Sequence, residues 1–192
     1  MHQDLAPGFL IASPKLDNTP FERAVIAMVH QDDDGAMGFI VNKPLEIDFG
    51  ALLRSAERSA LDNVHVRAAQ MAVHFGGPVR VEQLWLLAHE LGEGAPQADV
   101  PVEPDWSLIA QAESIEALAT GASGLKFRPF VGYTGWDNGQ LEREIEEGSW
   151  LFLEFNDDYI LSPDHETMWE DALKRLGVAP MAFLMMANAA QT

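Results

Sequence analysis

The sequence predicts a mixed α and β protein, and three observations carry that prediction. Short apolar runs recur, GFLIAS at 8–13, AVIAMVH at 24–30 and LWLLAH at 84–89, and their length suits buried strands. Apolar residues also recur at helical spacing, as at Phe49, Leu52, Leu53 and Ala56, the i, i+3, i+4, i+7 signature of one helix face. Finally, FVGYTGWDNGQLEREIEEGSW at 130–150 compresses strand, glycine turn, capped helix, glycine stop and new strand into one span.

The elements follow in order. Ser13-Pro14 ends the first strand, and Thr19-Pro20 opens a helical turn at Phe21. Residues 24–30 form a second strand and 38–42 a third. The turn between them is Asp32-Asp33-Asp34-Gly35, and Asp-Gly between apolar runs signals a hairpin. The three aspartates lack the alternating spacing and distal glutamate of a calcium loop, so they read as a solvated turn. Asn42-Lys43-Pro44 closes the third strand, because proline cannot continue a central strand. Asp48 caps the helix of Phe49, Leu52, Leu53 and Ala56. Residues 60–72 show no clear period. Residues 73–75 form a short strand leading into Gly76-Gly77-Pro78, a turn that needs glycine torsions. Another buried strand follows at 84–89. Residues 92–105, with three prolines and no periodicity, read as a mobile insertion rather than a lid. A short helix at 114–118 is capped by Ser114 and ended by Gly121.

The 130–150 span is the most committed. Phe127, Pro129 and Val131 alternate as in a strand, and Gly132 and Gly135 bracket Tyr133 and Thr134 in a tight turn, where they allow positive φ or close backbone approach. Asp137 is placed as N-cap, with Gln140 at capping-box spacing. Leu141 and Ile145 form the buried face of the helix, and Gly148 stops it in the left-handed conformation. Residues 150–155, WLFLEF, are apolar on both faces and predict a central strand. Residues 159–161 predict a last strand. Ser162 then caps a final helix with Pro163 at its first position. Trp169, Ala172, Leu173 and Leu176 form that helix's core face, and Gly177 ends it. The methionine-rich tail, 180–192, suits core packing.

Composition bounds the function. A chain of 192 residues, 47% hydrophobic, fits one domain spanning 1–192. Without cysteine it has no disulfide, thiolate zinc site or cysteine nucleophile. It lacks the basic start of a signal peptide and any apolar run near the ~18 residues of a membrane span, so a cytoplasmic protein is expected. The net charge is −18, and from Phe130 onward twelve acids face three bases. Such a surface repels phosphate backbones and anionic lipid, which argues against nucleic-acid and membrane partners.

Common catalytic motifs are missing. The sequence contains no Walker-type phosphate loop and no dinucleotide glycine fingerprint. Gly121-Ala122-Ser123-Gly124 has the wrong spacing for a nucleophile elbow. His89-Glu90 and His165-Glu166 lack the second histidine of a zincin. His30, His74 and His89 occupy strand positions and could meet in space, but packed histidines are commoner than ligands. No cofactor or metal is therefore expected, and no catalytic residue is assigned.

Four stretches together resemble the AlgH/YqgE family of bacterial proteins: LAPGFLIASP running on to FERAVIAMVHQDDDGAMGFIVNKP, VHFGGPV followed by LWLLAH, GYTGWDNGQLEREIEEGSWL, and MWEDALKRLG. In the second, Leu87-Ala88-His89 departs from the expected leucine directly before histidine. The resemblance implies an α+β fold with a bifurcated sheet curled into a pseudo-barrel and helices packed outside. It brings no catalytic residues. Members are often labelled transcriptional regulators, and the charge of this chain argues against reading that label as direct DNA binding.

Two functional classes stay open: a non-catalytic regulatory or protein-interaction protein, and an enzyme or sensor holding a small ligand in a pseudo-barrel cleft. The candidate binding residues are those whose chemistry strand packing does not explain: Asn42, Lys43 and Pro44; Gly76, Gly77 and Pro78; Gly135 and Trp136, with Gln140 behind them. Loops held on a scaffold usually carry binding. Lys43 offers a positive charge in an acidic protein, and Trp136 an aromatic anchor. The competing explanation is architectural, with glycines making turns, Lys43 solvated and Trp136 in the core.

Overall fold

The computed structural model describes residues 5–55, 64–89, 91, 99–102, 105–121, 126–181 and 183. The class is α+β, as the sequence predicts, with a curled, mainly antiparallel sheet and flanking helices. The elements run β1 (Gly8–Ala12), β2 (Val25–Asp32), β3 (Gly35–Ile40), β4 (Pro44–Asp48), α1 (Phe49–Ser55), α2 (Val66–Ala69), β5 (Ala72–Phe75), β6 (Val79–His89), β7 (Val100–Val102), β8 (Trp106–Ile109), α3 (Ala112–Gly121), β9 (Lys126–Asp137), α4 (Gln140–Glu146), β10 (Trp150–Glu154), α5 (Asp157–Leu161) and α6 (His165–Arg175). Two compact units form, one from Met1–Lys43 with Thr134–Thr192, the other from Pro44–Tyr133.

In the first unit all pairings are antiparallel, in the order β10-β1-β2-β3 and then the last residues of β9. Every residue of β1 is buried, as are the first five of β2. A strand covered on both faces needs a continuous apolar run, which is what GFLIA and VIAMV supply. The β2–β3 hairpin turns at the predicted Asp-Gly, with Asp32 Oδ1 accepting from the Asp34 and Gly35 amides at 2.8 and 3.2 Å. Helix α6 buries Met168, Trp169, Ala172 and Leu173, and the Trp169 indole donates to the Ala12 carbonyl at 2.8 Å.

Four expectations need correction here. Residues 150–154 form an edge strand, not a central one: among the described residues β10 pairs only with β1. Its second face is apolar because Leu151, Phe152 and Leu153 are all half-buried. Residues 159–161 are helical, because Asn156 caps the Asp158 amide at 2.8 Å and Asp157 and Asp158 sit favourably in the first turn of α5. Ser162 is therefore the C-cap of α5, and α6 starts after Asp164. Asp137 does not cap α4. It remains in β9, and the N-cap is Gly139 in the left-handed conformation, without a side-chain bond. Only half of the predicted capping box exists, Gln140 Oε1 accepting from the Asp137 amide at 3.0 Å. The other end is as expected. Gly148, at φ +74, follows the C-cap, and the bonds from Gly148 N to Ile145 O and from Ser149 N to Glu144 O complete a Schellman stop.

In the second unit the order is β4-β5-β9-β6-β8-β7, with β5 parallel to β9 and every other pair antiparallel. Its core gathers Phe49, Leu53, Val73, Leu86, Ile109, Ile115 and Leu118. Asp48 accepts from the Ala51 amide at 2.6 Å, the predicted cap of α1. The proline at 44, expected to close a strand, also opens β4, an edge position where its missing N–H costs nothing. Helix α3 begins at Ala112, so Ser114 lies inside it rather than at its cap. Part of the expected structureless stretch is strand: β7 pairs with β8, and Pro101 is tolerated because β7 is an edge. The rest of that stretch, 92–98 and 103–104, lies outside the described residues, as do 60–63 and most of the tail. The turn expected at 132–135 is also absent. β9 continues through it, and Gly132, at φ +68 and close to the Gly77 carbonyl, has the positive φ and close backbone approach expected of it.

Candidate functional site

Asn42 and Lys43 follow β3 and turn back onto the loop at 17–23. Asn42 Oδ1 accepts from the Val25 amide, and its Nδ2 donates to the Arg23 carbonyl, both at 2.9 Å. Lys43 Nζ donates to the Pro20 carbonyl at 2.8 Å. The loop also binds itself. Thr19 Oγ1 donates to Leu16 O at 2.5 Å and accepts from Phe21 N at 3.1 Å, and the Glu22 carboxylate accepts from Asn18 N at 3.1 Å. Asn18 and Arg23 take left-handed torsions, φ 61 and 51. The sequence TPFER thus forms a fixed projection, with Asn18, Thr19, Pro20, Glu22 and Arg23 exposed.

Phe21 ties this loop to the second predicted stretch. Its ring meets Trp150 edge-on at 5.6 Å, and Trp150 meets Trp136 at 5.9 Å. Both indoles donate to Glu144 Oε2, Trp136 at 3.0 Å and Trp150 at 2.7 Å. Gln140 Nε2 donates to the other oxygen at 2.8 Å. Trp136 is therefore a buried, hydrogen-bonded anchor of α4, only 6% exposed, and Gln140 braces the same carboxylate. Gly135 is an exposed strand residue opposite Met37.

In the second unit, Pro44 lies opposite His74 in the β4–β5 pair. Gly76 N donates to Val131 O at 2.9 Å. Gly77 is buried, and a Cβ placed on Gly132 would stand 2.3 Å from the Gly77 carbonyl oxygen. Gly76 and Gly77 thus serve a close approach of two backbones, and Pro78 is exposed beside them. Of the nine predicted residues, Asn42, Lys43, Gly135, Trp136 and Gln140 belong to the first unit, and Pro44, Gly76, Gly77 and Pro78 to the second.

Lys43 has a displaced pKa. Burial holds its ammonium below the usual lysine range, and Glu22 offsets this in part. His30 is exposed and bonds Asp32 at 2.8 Å. His74 lies against the Phe130 ring and His89 against Trp106. Among the described residues no three His, Asp or Glu side chains gather as a metal would require, and no helix is long and apolar enough to cross a membrane. Sequence reasoning missed Glu144, the shared acceptor, and Arg23, whose signal is the aromatic-acid-arginine end of a Thr-Pro loop just before a buried strand.

The order of these elements has a known counterpart. An AlgH-like family model matches residues 9–181, which takes in both units. The chain belongs to the AlgH-like family. Its relatives include a UPF0301 protein of Anaeromyxobacter sp. strain Fw109-5, 36% identical over 184 residues, covering 94% of this chain and 92% of that one. Another, from Pseudoalteromonas translucida, is 34% identical over 177 residues, covering 91% and 92%. The solution structure of AlgH from Pseudomonas aeruginosa superimposes with a TM-score of 0.75 at 26% identity, covering 96% of this chain and 97% of that one. A crystal structure of protein DIP2367 from Corynebacterium diphtheriae shares the fold, with a TM-score of 0.68 at 20% identity over 97% and 93%. The AlgH-like fold therefore extends over both units, and the resemblance of the four sequence stretches is a true family relationship.

Proposed function

We propose that this AlgH-like chain is a non-catalytic cytoplasmic interaction protein that influences transcription only indirectly, and that it docks its partner on the loop at 17–23. One observation carries the reading: an exposed loop is clamped from two sides, by Asn42 and Lys43 on its carbonyls and by Trp150 on Phe21. A loop fixed before binding loses little conformational entropy when it docks. The charge of −18 supports an indirect rather than a DNA-contacting role.

Affinity capture from the native host tests it, with the full chain and its Lys43→Gln variant as baits. The expected result is a specific protein retained by the wild type and lost by Lys43→Gln, with both baits folded and melting cooperatively. Recovery of every wild-type partner by Lys43→Gln would place the docking face elsewhere.

A further inference from the structure

Arg23 stands at the exit of the loop under unusual conditions. Its backbone holds φ 51, a conformation a side chain rarely adopts, in a chain where glycine would serve the same turn. Asn42 fixes its carbonyl. Its guanidinium lies 5.5 Å from the centroid of Trp169, a ring buried to 2% exposure and itself fixed by the bond to Ala12. The guanidinium thus rests over an immobile ring. The chain has 30 acids to 12 bases, and yet Arg23 makes no ion pair among the described residues. The neighbouring Glu22 turns away to the Asn18 amide. Lys43, the other cation that reaches the loop, is occupied by the Pro20 carbonyl.

We propose that Arg23 is the receptor for a single carboxylate group of the docked protein. This rests on the reading of the 17–23 loop as the docking face. Guanidinium binds carboxylate and phosphate alike through paired N–H donors. The choice between them follows from charge. A multiply charged phosphate meets the field of a strongly acidic protein with a single guanidinium on this loop to receive it, whereas one carboxylate matches one guanidinium. An arginine resting over a fixed ring loses less freedom on binding than a free one, and a lysine in its place would not present the fork.

The test uses the isotope-labelled full chain and two probes, acetate and inorganic phosphate, at constant ionic strength. The Arg23 Nε–H and Trp169 Nε1–H signals are followed by NMR. Acetate should shift both signals saturably, with a dissociation constant on the order of 10 mM for so small a probe. Arg23→Lys should weaken acetate binding about tenfold, and Arg23→Gln should abolish it, since neither presents the fork. Tighter binding of phosphate than of acetate, or acetate shifts that persist in Arg23→Gln, would overturn the assignment. Capture with the Arg23→Gln bait separates the two readings. A partner lost with Lys43→Gln but kept with Arg23→Gln leaves the docking face standing and removes the carboxylate receptor. A partner lost with both supports both.

Discussion

Trp136 and Trp150 donate their indole N–H groups to the same oxygen of Glu144, at 3.0 and 2.7 Å, from rings standing nearly perpendicular at 5.9 Å. One residue of α4 thereby fastens the end of β9 and the start of β10. Both indoles are buried, so removing the acceptor strands two donors, each costing about 1–3 kcal/mol. Glu144→Ala should lose at least about 2 kcal/mol in urea unfolding, with tryptophan emission shifted to the red. Glu144→Gln keeps one acceptor oxygen and should lose about half as much. An unchanged midpoint for Glu144→Ala would mean that the shared carboxylate stabilises nothing.

Two glycines at positive φ should respond differently to substitution. At Gly148 an added Cβ meets only Lys15 Nζ, at 3.7 Å. The cost of Gly148→Ala is then the left-handed torsion alone, about 1 kcal/mol, and Gly148→Asn should be milder still. At Gly132 the Cβ would lie 2.3 Å from Gly77 O and 3.0 Å from Val79 O, both backbone atoms that cannot swing aside. Gly132→Ala should therefore destabilise by several times more than Gly148→Ala, or fail to accumulate folded protein. Asp137→Ala serves as the control. Its amide, not its carboxylate, meets Gln140, so a loss above about 0.5 kcal/mol would restore the cap that the geometry removes.

The same glycines show what a single sequence can disclose. Gly148 was legible because a helix stop is local: one residue, one torsion, two neighbouring bonds. At Gly132 the sequence discloses a positive φ or a close backbone approach, but not that the approaching backbone is Gly77, a partner distant in sequence. Apolar runs such as GFLIA announced buried strands, yet WLFLE announced one too and became an edge. Apolarity reports coverage of faces, while edge position depends on which other strand arrives. The candidate site divides in the same way. Lys43 and Asn42 stood out by residue type, and Trp136 by its aromatic bulk. Arg23 and Glu144 look ordinary in sequence. Their roles come from a strained torsion and from two indoles that only the fold brings to one oxygen.

Lys43 gives a pH signature. Burial lowers its folded-state pKa from 10.5. Between that lowered value and 10.5 the unfolded chain therefore binds more protons than the folded one, and stability rises with pH. The destabilising contribution of charged Lys43 is full below the folded pKa and gone above the unfolded one. Urea midpoints of wild type and Lys43→Gln, compared at neutral pH and at about pH 10, should show the wild type gaining relative to the variant. Other alkaline groups titrate in both proteins and cancel in the difference. A constant difference across that range would mean the ammonium is as well solvated when folded as when unfolded.

Direct binding to duplex DNA is not expected. Non-specific affinity for DNA comes from cations that displace condensed counterions, each contributing to a steep salt dependence. This chain has 12 lysines and arginines against 30 acids. Among the described cations, Lys43 and Lys15 are turned onto backbone carbonyls, and Arg128 is buried, its pKa pushed down to about 10. Arg23 and Arg175 lie over Trp169 and Tyr159. What remains is too sparse for a basic stripe. Anisotropy titration of labelled duplex at low salt, where electrostatic binding is strongest, should show no saturable signal up to tens of micromolar or so. Salt-sensitive binding at about micromolar concentration would overturn this expectation, and with it the indirect role in transcription.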